Sequence, residues 1–220
     1  VYIATTRYKF NDKMPGLYKS VNYGARWEEI SAGSREGSFT RVGRRVRVET
    51  ELLFAGTEKG VYYSLNGGKN WETLQLNLPN VPVTDLLIKH NDLVVATQGR
   101  SFWVLDDLAL IRQAKPMALN GLQFFTPEPA VIGNWYSGMN AAMAPKATQD
   151  FTGVNPANGV VFYYHLPEGI SDKDIALEIR DAKDHVIRRF SGLKDPSYSP
   201  YEGAPDPNPV LSLKTGLNRF

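Results

Sequence analysis

Five residues inside one ten-residue window carry side chains that could do chemistry: Gln98, Arg100, Trp103, Asp106 and Asp107. Two carboxylates are the usual equipment for cleaving a glycosidic bond, one as acid and one as base or nucleophile. Asp106 and Asp107 are adjacent, however, and adjacent strand residues point to opposite faces. They cannot close on the same bond, so either one would need a second carboxylate from elsewhere. The structural alternative is a strand-end turn or helix N-cap before Leu108, a position that Asp serves well. Gln98, Arg100 and Trp103 suggest ligand binding instead. A guanidinium forks a carboxylate, and an indole can stack on a sugar face. Against that stands a plainer arrangement, with Trp103 packed between sheets and Arg100 paired with a neighbouring acid.

Several other function classes fall away. His90, His165 and His185 lie far apart with no ligand-like spacing, so neither a metal site nor a Ser-His-Asp arrangement is expected. Neither the GxGxxG nor the Walker pattern occurs, and no cofactor is expected. With no cysteine, the chain has neither disulfides nor thiolate ligands. A net charge of +2 is too small to point to nucleic acid. The chain lacks the run of about 18 apolar residues that a membrane helix needs. No signal peptide is visible, since Val1-Tyr2-Ile3-Ala4-Thr5 reads as a strand.

The elements that must position these residues are organised by a repeat. Ser64-Leu65-Asn66-Gly67-Gly68-Lys69-Asn70-Trp71 follows Ser20-Val21-Asn22-Tyr23-Gly24-Ala25-Arg26-Trp27 by 44 residues. Both read Ser-x-Asn-x-Gly-x-x-Trp. Glycine supplies positive φ freely, and Asn tolerates the left-handed region while bonding its own backbone. Ser20, Asn22, Gly24 and Trp27, with Ser64, Asn66, Gly68 and Trp71, are therefore expected to be structural, each Trp packing into its own sheet. A spacing of about 40–45 residues over four short strands is that of a propeller blade. Strands are expected at 1–6, 17–20, 27–30, 53–57, 61–64, 71–74, 81–90, 92–97 and 101–105. Residues 39–48 should form the outer strand of the first blade, with Arg41, Arg44, Arg45 and Arg47 as a solvated edge.

Leu108–Lys115 is the one plausible helical turn, and 123–127 reads as a departing strand. Residues 128–158 lack periodicity and mark a domain boundary. Beyond them a different all-β pattern begins: a strand over 159–166, then 175–180 and 185–190 flanking the four-residue turn Asp181–Asp184. The expected division is 1–127 as propeller blades, 128–158 as linker and 159–220 as a second all-β module.

The paired turns resemble the Asp-box, or BNR repeat, found in sialidases, xyloglucan-active propellers and sortilin-type receptor propellers. Asn22 and Asn66 stand where that motif normally has Asp. The string from Leu53 to Asp107, ending Ala96-Thr97-Gln98-Gly99-Arg100-Ser101-Phe102-Trp103-Val104-Leu105-Asp106-Asp107, is similar to the last blade of bacterial secreted sortilin-like or glycosyl-hydrolase BNR-repeat proteins. Gln98 takes the place of a histidine in that pattern. Asn155-Pro156-Ala157-Asn158-Gly159 and Phe162-Tyr163-Tyr164 are similar to the family's entrance into an Ig-like β-sandwich. The resemblance implies an all-β protein, about two blades of an incomplete ring followed by a truncated Ig-like sandwich. It further implies an extracellular or periplasmic location, a glycan or peptide ligand, and exposed blade edges covered by missing blades or self-association. Its functional implication is glycan or protein binding or processing. The alternative is a glycoside hydrolase whose catalytic carboxylates lie mostly outside this chain.

Overall fold

The computed structural model describes residues 1–32, 40–46, 51–113, 121–130, 159–171, 175–194, 199 and 208–220. The chain divides into two compact units, Val1–Lys115 and Pro116–Phe220. Each consists of small antiparallel sheets, and the fold is all-β apart from short helical turns.

The first unit stacks three sheets. The first contains β1 (Tyr2–Thr5), β2 (Gly16–Lys19) and β3 (Glu28–Glu29), in that order. The middle sheet runs β4 (Thr40–Arg45), β5 (Leu53–Thr57), β6 (Gly60–Ser64), β7 (Glu72–Thr73). The third contains β8 (Val83–Lys89), β9 (Asp92–Thr97) and β10 (Phe102–Leu105), ordered β10-β9-β8. Helix α1 (Ala109–Gln113) follows, inside the span expected to be helical.

Alternation along the strands explains the stacking, because side chains two apart share a face. Leu53, Ala55, Tyr62 and Trp71 of the middle sheet pack with Leu17 and Ile30 of the first. Phe54, Val42 and Val61, on its opposite face, pack with Val83, Leu86, Leu93 and Val95 of the third. All five residues of β5 are buried, as a strand covered on both faces requires. Fully burying a Leu or Phe contributes about 1.5–3 kcal/mol, so these two interfaces dominate the unit's stability.

The structure corrects the reading of residues 39–48. Strand β4 pairs with β5 and packs against both β1 and β8, so it belongs to the middle sheet and not to an outer edge of the first. Its described arginines stay exposed, as expected of an edge strand, but two of them also reach neighbouring sheets. Arg44 donates to Leu86 O (2.8 Å) and pairs with Asp85 (2.7 Å), both on β8. Arg45 lies over the Tyr2 ring, 5.9 Å from its centroid. Arg41 pairs with Glu58 within the sheet. Fully buried Thr40 accepts from Gly16 N (3.1 Å) and donates to Gly16 O (2.9 Å), joining the middle sheet to the first. Arg47 lies outside the described residues.

In the second unit β12 (Tyr163–Leu166) lies between β11 (Gln123–Phe125) and β15 (Gly216–Arg219). Residues 123–125, placed by sequence with the blades, are therefore hydrogen-bonded into the second unit. The expected linker 128–158 lies outside the described residues beyond 130. A hairpin of β13 (Ala176–Arg180) and β14 (Val186–Ser191) closes through the anticipated Asp181–Asp184 turn. Tyr164, Leu166 and Leu211 form the core with Leu177, Phe190 and Phe220 against it.

Candidate functional site

The two asparagine turns have matching hydrogen bonds. In the first, Ser20 Oγ donates to Asn22 Oδ1 (3.1 Å) and accepts from Gly24 N (2.8 Å), while Arg26 N donates to Asn22 Oδ1 (2.9 Å). In the second, Ser64 Oγ donates to Asn66 Oδ1 (3.0 Å) and accepts from Gly68 N (2.9 Å), while Asn70 N donates to Asn66 Oδ1 (2.9 Å). One side-chain oxygen accepts both bonds at the Asn position. An amide oxygen therefore suffices to hold this turn, and no charge is required. Gly24 and Gly68 have φ of 93° and 95°, a region that an L side chain rarely adopts.

The surroundings of the turns differ. Trp71 is 8% exposed and donates from Nε1 to Ile30 O (2.6 Å). A methyl group at Gly68 would lie 2.9 Å from Ile30 Cβ and Cδ1. The second turn is thus moulded on the first sheet, and Trp71 locks two sheets together rather than packing only into its own. Trp27 is 38% exposed and sits in a shallow recess with Lys19, Val21, Asn22, Arg26 and Glu28. The sequence marks both tryptophans equally; it does not show that Trp71 reaches the sheet before its own while Trp27 stays open.

The three residues of the expected ligand group are neighbours about one turn, but they do not share one face. Gln98 and Arg100 are exposed on the β9–β10 turn, with Gln98 N bonded to Pro82 O (2.9 Å). Trp103 points to the opposite, inner face, where it packs against the core and donates from Nε1 to Arg100 O (2.9 Å). A strand reading Phe-Trp-Val-Leu places Trp103 and Leu105 inward and Phe102 and Val104 outward. The amide and the cation are accessible at the turn, while the aromatic mainly supports it.

The adjacent carboxylates occupy a structural corner. Asp107 Oδ1 accepts from Ala109 N (2.8 Å) at the start of α1 and from Asn91 Nδ2 (2.9 Å). Asp107 N donates to Asp92 Oδ1 (3.1 Å), and Leu108 N donates to Asn91 O (2.7 Å). Asp107 thus ties the helix to the β8–β9 turn, the structural alternative read from sequence. Among the described residues no cluster of His, Cys, Asp or Glu could hold a metal. His185 instead pairs with Asp181 (3.1 Å) in the β13–β14 turn. No described helix is long and apolar enough to cross a membrane.

Sequence reasoning missed two groups. Ile30 serves as the acceptor for Trp71, and the only signal for it is its place just after a turn motif. The others are Leu87 on β8 and Phe102 and Val104 on β10, exposed on the outer face of the third sheet, for which the available signal is an apolar residue at successive positions of each strand.

No protein-family model and no curated protein matches the chain. Eight chains of solved structures match. One is the crystal structure of an ancestral GH74 enzyme, with 22% identity and a TM-score of 0.34 over 40% of this chain. The match takes in 11% of that enzyme's chain. The chain is an all-β protein of several small antiparallel sheets, with a distant likeness to part of a glycoside-hydrolase structure.

Proposed function

We propose that this chain is a non-catalytic, sheet-stacking part of a carbohydrate-active Asp-box propeller protein. One observation carries the repeat reading: two turns with the same hydrogen bonds recur at the same place in successive sheets, and one of them fastens its sheet to the sheet before. The non-catalytic reading is supported by Asp107, whose carboxylate holds a helix start and a hairpin turn. In this reading Pro116–Phe220 is an Ig-like sandwich following the blades, and the whole protein works outside the cytoplasm. Ligand contact falls to Gln98 and Arg100 on the β9–β10 turn, with Trp103 holding that turn from beneath.

The test is calorimetric titration of the full chain with soluble oligosaccharides, neutral and carboxylate-bearing. Arg100→Ala should weaken binding of the carboxylate-bearing sugar most, since a charge-assisted hydrogen bond contributes about 1.5–3 kcal/mol. Gln98→Ala should weaken both classes. Unchanged affinity in both variants would remove the proposed contact. A second reading makes the same chain part of a glycoside hydrolase with its carboxylates elsewhere; it too predicts no turnover by this chain alone and is separated only by assaying the whole protein.

A further inference from the structure

Between the turn-bearing ends of the first and middle sheets lies a recess of about 430 Å³, within the ~300–1,000 Å³ range of small-ligand sites. One wall is a register row of the first sheet, with Tyr2 opposite Lys19 and Lys19 opposite Glu28. The other is Arg45, Glu51 and the turn 66–69 of the middle sheet. The two repeats treat this row differently. In the middle sheet Tyr63 and Glu72 stand where the first has Lys19 and Glu28, and a 2.7 Å hydrogen bond closes that pair. Lys19 and Glu28 face one another across the strands and make no ion pair. Lys19 Nζ lies over the second turn instead, where a methyl group on Gly67 would be 3.9 Å from it. Lys19 is half-buried, and neither it nor Arg45 nor Lys69 forms an ion pair among the described residues. Burial penalises a charge left without a partner, so the recess calls for an anion.

We infer that this recess binds a sugar acid, its carboxylate held by Lys19 with Arg45 and Lys69 and its hydroxyls donating to Glu28 and Glu51. A guanidinium forks a carboxylate, and Arg45 is already placed at the recess by the Tyr2 ring beneath it. Glu28, Glu29 and Glu51 line the same space, so a doubly charged phosphate ester would meet three like charges. One negative charge among several hydroxyls suits both sets of side chains. It neutralises the cations and gives the carboxylates donors. The site is separate from Gln98 and Arg100. Strand β4 is bonded to Gly16 through Thr40 at one end and reaches the recess with Arg45 at the other. Gly56, beside the Thr40 end, lies against Val83, and Val83 pairs with Thr97 just before the Gln98 turn. The two sites therefore occupy opposite ends of the stacked sheets, and neither depends on the other.

The test is an NMR titration of the isotope-labelled full chain with glucuronate, beside glucose, acetate and inorganic phosphate. Glucuronate should shift the backbone amides of Gly67, Gly68 and Lys69 saturably, at concentrations where the other three compounds leave them in place. Lys19→Gln should weaken glucuronate about tenfold or more, the loss of one charge-assisted hydrogen bond. Lys69→Gln, on an exposed turn position, should weaken it as well and keeps the test intact if Lys19→Gln does not fold. The amides of Gln98–Ser101 are read in the same spectra, so this recess and the contact proposed above succeed or fail separately. Amides at 67–69 that glucuronate leaves unmoved overturn the inference. So does glucose, acetate or phosphate moving them as strongly, or parent-like affinity in the folded lysine variants. Shifts confined to Gln98–Ser101 also overturn it, by giving the sugar acid to the other end of the sheets.

Discussion

Trp71→Phe separates a tryptophan that fastens sheets from one that merely ends a turn. The substitution keeps an aromatic ring in the cluster with Leu17, Ile30, Leu53, Ala55 and Tyr62 but removes the indole N–H. The 2.6 Å bond to Ile30 O is then lost, in a place where Trp71 is 8% exposed. A buried acceptor left without its donor costs about 1–3 kcal/mol, and the smaller ring leaves an added packing loss. Trp71→Ala should cost about 3–5 kcal/mol. Trp27→Phe removes no buried bond and should stay within about 0.5 kcal/mol. Because the chain has two units, residue-resolved hydrogen exchange is the right assay. Amides of β1, β2, β5 and β6 should lose protection in Trp71→Phe and keep it in Trp27→Phe, while β12–β15 are unaffected. Equal losses in the two variants, or none in Trp71→Phe, would refute the lock between sheets.

Gly68→Ala should destabilise more than Gly24→Ala by about 1–3 kcal/mol, the cost of overpacking Ile30 added to a φ strain that both share; paired urea titrations measure the difference. Tyr23 has φ 60° and is fully exposed where the second turn has Gly67, so Tyr23→Asn should stabilise by about 0.5–1 kcal/mol in the same assay. The Asp181 carboxyl is held below its ordinary value of 3.8, chiefly by the His185 backbone N–H, then by Lys183 N–H and the His185 ring. A depressed folded value means stability present above pH 3.8 and lost as pH falls through the folded midpoint. Carboxyl NMR should therefore place Asp181 below 3.8, and Asp181→Asn should blunt the acid opening of the β13–β14 turn.

Much of the first unit was legible because its signals are local. The Asn-Gly-Gly turn at 66–68, the period-two apolar strands and the 44-residue spacing each follow from backbone chemistry close in sequence. The assignment of β4 was not legible. Its arginines read as a solvated edge, and only the third dimension shows Arg44 reaching Asp85 and Arg45 covering Tyr2. Gln98, Arg100 and Trp103 look like one group in sequence, yet the pleat sends Trp103 to the core side. Asp107 was legible as a helix-start residue but not its bond to Asn91, a partner 16 residues away. The inequality of Trp27 and Trp71 had no sequence signal, since it depends on which sheet lies in front of each.

The claim that this chain does not itself catalyse is tested most directly by turnover. The pure chain is incubated with aryl glycosides and with polysaccharide, beside Asp106→Asn and Asp107→Asn, and released phenol and reducing ends are measured. No release above buffer is expected from any of the three proteins. Hydrolysis by the parent chain that disappears in either variant would contradict the account, and would make the corner after β10 an active site.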